Sequence, residues 1–301
     1  MATTLTDAGR PSPIRAWVLA IRPQTLSAGA IPVAVGTAVA AADGVLAWGP
    51  ALAALVGALL IQIGCNLAND LFDFKKGADG EDRLGPPRAA QQGWLGACQI
   101  AVGTAVALGA AVLVGLYLVA VGGIPIVVIG VASVVCALAY TGGPWPLGYH
   151  GLGDVFVLAF FGPVAVGGTY WVQAGALPAA PLLASLSVGL LATAILVVNN
   201  LRDRHSDARA GKRTLAVRLG ATGARIEHTS LIVLAYLVPV IAWATGAVSW
   251  GWLLPLVSAP LAAARVRAVW TKDGAALNPE LGGTARLGLL FGVLLCVGVL
   301  L

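Results

Sequence analysis

The chain has 301 residues, of which 58% are hydrophobic and only 10% charged, with a net charge of +5 and a mean hydropathy of +0.89. Soluble proteins carry about 25% charged residues, so this composition excludes a soluble enzyme. The few charges fall in blocks: the 113 residues between Arg88 and Arg202 contain only Asp154, and the 47 between Arg22 and Asp70 contain only Asp43. Both runs far exceed the roughly 20 apolar residues of one membrane crossing, so each holds several spans.

Residues 1–22 lack an apolar stretch ending in a small-residue cleavage site and read as a cytoplasmic amino-terminal arm, not a signal peptide. Nine spans follow in chain order, at 24–42, 50–70, 95–119, 123–141, 153–173, 180–200, 227–246, 249–268 and 283–301, within a single transmembrane domain. Tight turns such as Ala42-Asp43-Gly44 and Gly142-Gly143-Pro144 reverse the chain between them. With nine spans, all 18 Lys and Arg residues fall on one side of the membrane. The positive-inside rule makes that side cytoplasmic and puts the carboxyl terminus outside. Topology thus accounts for the basic balance, and no basic stripe interleaved with aromatics marks a nucleic-acid surface. Cys65, Cys98, Cys136 and Cys296 stand isolated in apolar runs and read as buried small hydrophobes.

The acidic residues carry the chemistry. Span two ends in Asn66-Leu67-Ala68-Asn69-Asp70-Leu71-Phe72-Asp73, and span six in Asn199-Asn200-Leu201-Arg202-Asp203-Arg204-His205-Ser206-Asp207. Both contain Asn-x-x-x-Asp, 133 residues apart, with a second Asp three or four positions on. Helical spacing puts Asn66, Asp70 and Asp73 on one face, and Asn199, Asp203 and Asp207 on another. A single copy would ordinarily be a helix cap; two copies on spans whose ends face each other point to a site, because carboxylates near hydrocarbon are costly. Oxygen ligands without His or Cys suit Mg2+, which typically takes one or two carboxylates plus substrate phosphates. Lys75, Lys76, Arg83, Arg88, Arg202, Arg204, Lys212 and Arg213 supply an anion site, so the inventory fits a diphosphate clamped by Mg2+. His205 reads as solvent-facing. Of the nearby aromatics Phe72, Phe74, Tyr140, Trp145 and Tyr149, Tyr140 ranks first as a substrate contact. Asp154, at the start of span five, reads as a helix cap, with orientation of an aromatic substrate as the other reading.

At these motifs the sequence resembles the UbiA superfamily of intramembrane aromatic prenyltransferases, and within it the naphthoate branch. The likeness runs through Arg22-Pro23-Gln24-Thr25-Leu26, Ala68-Asn69-Asp70 to Gly77, Arg83-Leu84-Gly85-Pro86-Pro87-Arg88, Tyr140-Thr141-Gly142-Gly143-Pro144, Phe161-Gly162-Pro163, and Asn199-Asn200-Leu201-Arg202-Asp203 through Gly211-Lys212-Arg213-Thr214. It departs at Gly77, where the wider family often has another Asp; here Asp79 follows two residues later. The resemblance implies an all-α bundle of nine transmembrane helices around a central cavity. It implies Mg2+ held by Asn66, Asp70 and Asp73 and by Asn199, Asp203 and Asp207, with Asp70, Asp73, Asp203, Asp207 and Tyr140 in the chemistry. Arg22, Lys76, Arg83, Arg88, Lys212 and Arg213 would neutralise a polyprenyl diphosphate. The implied reaction is ionisation of that donor, attack by 1,4-dihydroxy-2-naphthoate and loss of the ring carboxylate, giving demethylmenaquinol in the bacterial inner membrane. Two other readings stand beside it: the same motif pair serving another acceptor, such as 4-hydroxybenzoate or homogentisate, and a secondary transporter. The transporter would place its charges near mid-span, whereas here they cluster at one face.

Overall fold

A computed structural model describes residues 11–77 and 83–301, which form helices and connecting turns without a strand among the described residues. Asp79 lies outside the described residues. The arm is not merely a tail: Pro13–Ile21 forms a helix, α1, started by Pro13 in its first turn and by the Ser12 hydroxyl accepting from the Arg15 N–H. Its Ala16 and Ala20 pack against Leu67, Leu71, Ala89, Ala90, Leu95 and Ile100.

The remaining helices are α2 (Pro23–Ala42), α3 (Trp48–Lys75), α4 (Ala97–Gly122), α5 (Ile124–Ala139), α6 and α7 (Gly153–Ala159 and Gly168–Ala174, joined through a π-helical stretch), α8 (Ala179–Arg209), α9 (Leu215–Ala244), α10 (Ala259–Thr271) and α11 (Asn278–Val299). Eight helical stretches among the described residues are long and apolar enough to cross a bilayer. The remaining expected span, 123–141, coincides with α5, which at 16 residues rises about 24 Å, short of the ~30 Å hydrocarbon thickness. Large apolar side chains face outward along the bundle, Val106, Leu113, Ile124 and Val128 among them, as in a protein whose solvent is lipid.

Three boundaries differ from the sequence expectation in ways that concern the site. Spans two and six run on as unbroken helix to Lys75 and Arg209, so both acidic motifs ride on rigid helix ends. Span seven starts at Leu215, capped by the Thr214 hydroxyl, and bends at Gly220, whose φ of +70° interrupts the helix.

Small residues let helices approach closely. Between α6 and α7 the chain from Phe160 to Gly167 widens into π-helix around Gly162 and Pro163. There Gly162 crosses α8 at Gly189, where a Cβ would sit 2.7 Å from the Leu158 carbonyl oxygen. Gly103, on α4, receives the Trp17 ring of α1: a Cβ at that glycine would lie 2.7 Å from the indole.

Candidate active site

The helices enclose a cavity of about 1280 Å³. Its body is apolar, walled by side chains such as Leu116, Ile126, Val134, Phe156, Phe160 and Phe161; its mouth carries Asn66, Asp73, Arg22, Arg83, Arg88, Asn199, Asp203, Asp207 and Lys212. The two motifs thus converge on one chamber.

In the first motif, Asp73 is the hub. Buried to 2% exposure, it accepts hydrogen bonds from the Tyr149 hydroxyl at 2.9 Å and Arg88 at 3.0 Å, and its other ion pair is to Lys212 at 3.0 Å. Asn66 donates from Nδ2 to the Ile21 carbonyl and the Thr25 hydroxyl, at 2.8 and 2.9 Å. It is thereby pinned to the α1–α2 junction, where Arg22 takes a left-handed conformation (φ 58°). Asp70 departs from expectation. It is buried but absent from the cavity wall, and its carboxylate accepts the backbone N–H groups of Ala89 and Ala90 at 3.1 and 3.4 Å. Asp70 therefore anchors the segment that presents Arg88. The wall position falls to Asn69, which the sequence reading did not select; its Oδ1 accepts from the Thr141 hydroxyl at 2.8 Å.

In the second motif, Arg202 is the hub. Exposed by only 2%, it donates from Nε to Asp203 at 2.7 Å, to Asn199 Oδ1 at 2.8 Å and to Asn278 Oδ1 at 3.0 Å. Asn278 in turn donates to the Leu84 carbonyl at 2.8 Å, tying the 83–88 loop to α8 and α11. Asp207 lies 4.0 Å from Lys212, so this one ammonium spans both motifs.

The six expected diphosphate cations divide. Arg22, Arg83, Arg88 and Lys212 line the chamber; Lys76 and Arg213 do not. Lys76 donates to the Thr141 carbonyl at 2.6 Å and covers one side of the Tyr149 ring, where burial and the Lys212 charge lower its pKa against the pull of Asp73. Lys212 also lies over that ring, 4.8 Å from its centre. Arg213 is exposed, because successive residues of the extended segment after Gly211 point to opposite sides. Burial, followed by repulsion from Arg88 and Arg83, pushes the Arg22 guanidinium down to about 9, with Asp70 and Asp73 opposing. The mouth holds more positive charge than its carboxylates balance.

Of the aromatics expected near substrate, Tyr140 and Tyr149 are on the wall; Phe72, Phe74 and Trp145 are not, and Trp94, Phe156, Phe160 and Phe161 take that place. His205 is exposed, as expected. The cysteines are unpaired, but none is fully buried: Cys98 is exposed, and Cys65 and Cys136 line the chamber. Asp154 lies in the first turn of its helix, favourably placed against the helix dipole, but both carboxylate oxygens are buried without a hydrogen-bond partner from another residue.

The donors at the mouth are carboxylates and amides, a set that fits a hard divalent cation. Among the described residues no three His, Cys, Asp or Glu side chains gather closely enough to hold an ion alone. Ligands from a phosphorylated substrate would complete such a shell, as is usual for Mg2+.

An all-helical membrane bundle with paired acidic helix ends over an apolar chamber defines an intramembrane enzyme class, and the chain belongs to the UbiA prenyltransferase family, whose profile matches residues 29–298. More particularly, it is 39% identical over 296 residues to the 1,4-dihydroxy-2-naphthoate octaprenyltransferase of Escherichia coli (strain K12), covering 95% of this chain and 96% of that one. It is 40% identical over 248 residues to the Mycobacterium tuberculosis protein of the same name, covering 82% and 83%. The fold is shared with a UbiA homolog from Archaeoglobus fulgidus solved bound to DMAPP and Mg2+, with a TM-score of 0.64, 14% identity, and coverage of 93% of this chain and 99% of that one.

Proposed function

We infer that this protein transfers a polyprenyl group from its diphosphate to 1,4-dihydroxy-2-naphthoate with loss of the ring carboxylate, giving demethylmenaquinol. The observation that carries the reading is the Asp73–Lys212–Asp207 bridge at the mouth of an apolar chamber, with Arg22, Arg83 and Arg88 beside it. The names of its relatives supply the acceptor, and the Archaeoglobus complex supplies the precedent for an allylic diphosphate with Mg2+.

Asp73 and Asp207, with Asn66, Asn199 and Asp203, would hold Mg2+, which neutralises charge developing on the departing diphosphate. Arg22, Arg83, Arg88 and Lys212 bind the diphosphate oxygens and stabilise the same charge from fixed positions. Arg202 keeps Asn199 and Asp203 facing the chamber, and Asp70 holds Arg88 in place through the 89–90 backbone. The apolar wall keeps water from the allylic cation, and the faces of Tyr140, Phe156 and Phe160 offer it π density. The amino terminus and both motif ends lie on the cytoplasmic face of the bacterial membrane, the carboxyl terminus outside.

The test is a panel of acceptors, dihydroxynaphthoate, 4-hydroxybenzoate and homogentisate, each given with one polyprenyl diphosphate and Mg2+ to membranes containing the protein, with products read by mass. Decarboxylated naphthoquinol product is expected with the first alone; transfer to either of the others instead would replace the proposed acceptor.

A further inference from the structure

Asp154 is 5% exposed at the first turn of α6, with neither carboxylate oxygen hydrogen-bonded. A carboxyl group left so within a membrane bundle costs several kcal/mol, on the order of an unmade buried hydrogen bond or more. What lies beside it is the chamber. The residue before it is Gly153, and a Cβ there would sit 2.9 Å from the Tyr140 hydroxyl oxygen, so the missing side chain lets that hydroxyl rest against the start of α6. Tyr140 faces the chamber. Glu227, on α9, comes within electrostatic reach of Asp154, and its Oε2 is likewise buried and unpartnered. A phenol on the chamber wall is thus backed by one carboxyl group, with a second near that one, and neither has an ion pair among the described residues.

We propose that Asp154 is the proton acceptor for the aromatic substrate, taking a hydroxyl proton from it through the Tyr140 hydroxyl. This rests on the prenyl-transfer reading above. The acceptor O–H bond breaks and its proton moves to the Tyr140 oxygen; the Tyr140 hydroxyl, not hydrogen-bonded to Asp154 at rest, turns toward that carboxylate and passes its own proton to it. The electron pair left on the acceptor oxygen drives formation of the carbon–carbon bond between the carboxylate-bearing ring carbon and the allylic cation. Carbon dioxide then departs, leaving its bonding pair on the ring, and the proton on Asp154 returns by the same route to the quinol oxygen. The Tyr140 hydroxyl passes one proton only as another arrives. Asp154 works behind Tyr140, and its contribution belongs to the second half of the reaction, after the donor has ionised.

That division sets the experiment. Geranyl diphosphate labelled with oxygen-18 at the bridging position, given with Mg2+, reports donor ionisation by positional scrambling; product mass with dihydroxynaphthoate reports transfer. Asp154→Asn is expected to lower transfer by about 10²–10⁴-fold, the usual contribution of a positioned proton acceptor, while scrambling stays within about twofold of the parent protein. Tyr140→Phe, which keeps the ring face that meets the cation and removes only the hydroxyl, is expected to lower transfer to a similar degree and carries the test if the first variant fails to fold. Unchanged transfer, or transfer and scrambling falling together in the folded variants, overturns the proposal. A parent protein that neither scrambles nor transfers would overturn the prenyl-transfer reading instead.

Discussion

Replacing Lys212 with Met separates its two relationships, one to the carboxylates and one to the substrate, because they respond with opposite sign. The ammonium sits 3.0 Å from Asp73 and 4.0 Å from Asp207 and is 14% exposed. At an effective dielectric of about 20, a pair at that separation is worth roughly 4–6 kcal/mol before desolvation. Measured losses on truncating one member of a buried charged contact are about 2–5 kcal/mol. Lys212→Met is therefore expected to weaken binding of a non-ionising thiodiphosphate donor by about 2–3 kcal/mol, or roughly 30–150-fold. The same change removes the cation that competes with a divalent ion for Asp73 and Asp207. Affinity for the metal alone should rise by about 1–2 kcal/mol, some 5–30-fold. Mn2+ serves as the spectroscopically visible substitute, titrated by electron paramagnetic resonance in detergent without donor, and calorimetry gives the donor affinity. If Mn2+ and donor both bind more weakly, or neither affinity moves, Lys212 does not bridge the motifs in solution and the assignment of Asp73 and Asp207 to one site falls.

Arg202→Met leaves Asp203 without its charged partner in a buried setting. About 3–5 kcal/mol of stability should be lost, read as a lower unfolding temperature in detergent; an unchanged transition would mean that Arg202 is not the hub of the second motif. Gly189→Ala sets a methyl group 2.7 Å from the Leu158 carbonyl oxygen. It should cost about 1–3 kcal/mol by overpacking the α8 crossing, whereas the same change at Gly109, which faces open space, should be neutral. The Arg204–Asp273 pair gives a pH test. Hydrogen bonds from Arg204 hold the Asp273 carboxyl at about 2, below the ordinary 3.8. Its stabilisation is therefore complete above the unfolded value and is lost as pH falls through the folded one. The difference in unfolding temperature between the parent protein and Asp273→Asn should stay constant from about pH 7 to 5 and narrow below about pH 4; a difference that grew in acid would refute the pairing.

The membrane bundle was legible because apolar length is a one-dimensional property of the chain, and the turns between spans carry their own Gly and Pro. Motif pairing was legible for the same reason: a repeated Asn-x-x-x-Asp needs no contact map. What spacing cannot supply is where on a helix the cavity lies. Turning about 100° per residue, Asn69 and Asp73 fall about 60° and 20° to one side of Asn66, and Asp70 about 40° to the other. All four fit a broad polar face, and only packing of the 88–95 segment over α3 decides that Asp70 turns to the Ala89 and Ala90 backbone while Asn69 meets the chamber. Lys212 and Arg213 pose the same problem in extended chain, where neighbours diverge by half a turn. Asn278 carried no signal at all, since its value comes from joining Leu84, 194 residues away, to Arg202.

Once these placements are made, the charge balance at the mouth becomes an argument about binding order. Asp203 is paired with Arg202, and Asp70 is committed to backbone N–H groups. Asp73 and Asp207 remain beside Arg22, Arg83, Arg88 and Lys212, and the guanidinium of Arg22 is driven down to about 9 by burial first and then by the Arg88 and Arg83 charges. A diphosphate relieves the cation excess and brings the extra negative charge that a divalent cation requires, so donor and metal should each raise the other's affinity, by thermodynamic reciprocity to the same extent. The aromatic acceptor brings a single carboxylate charge, less than the donor's diphosphate, and so relieves less of the excess, which favours its entry after the donor.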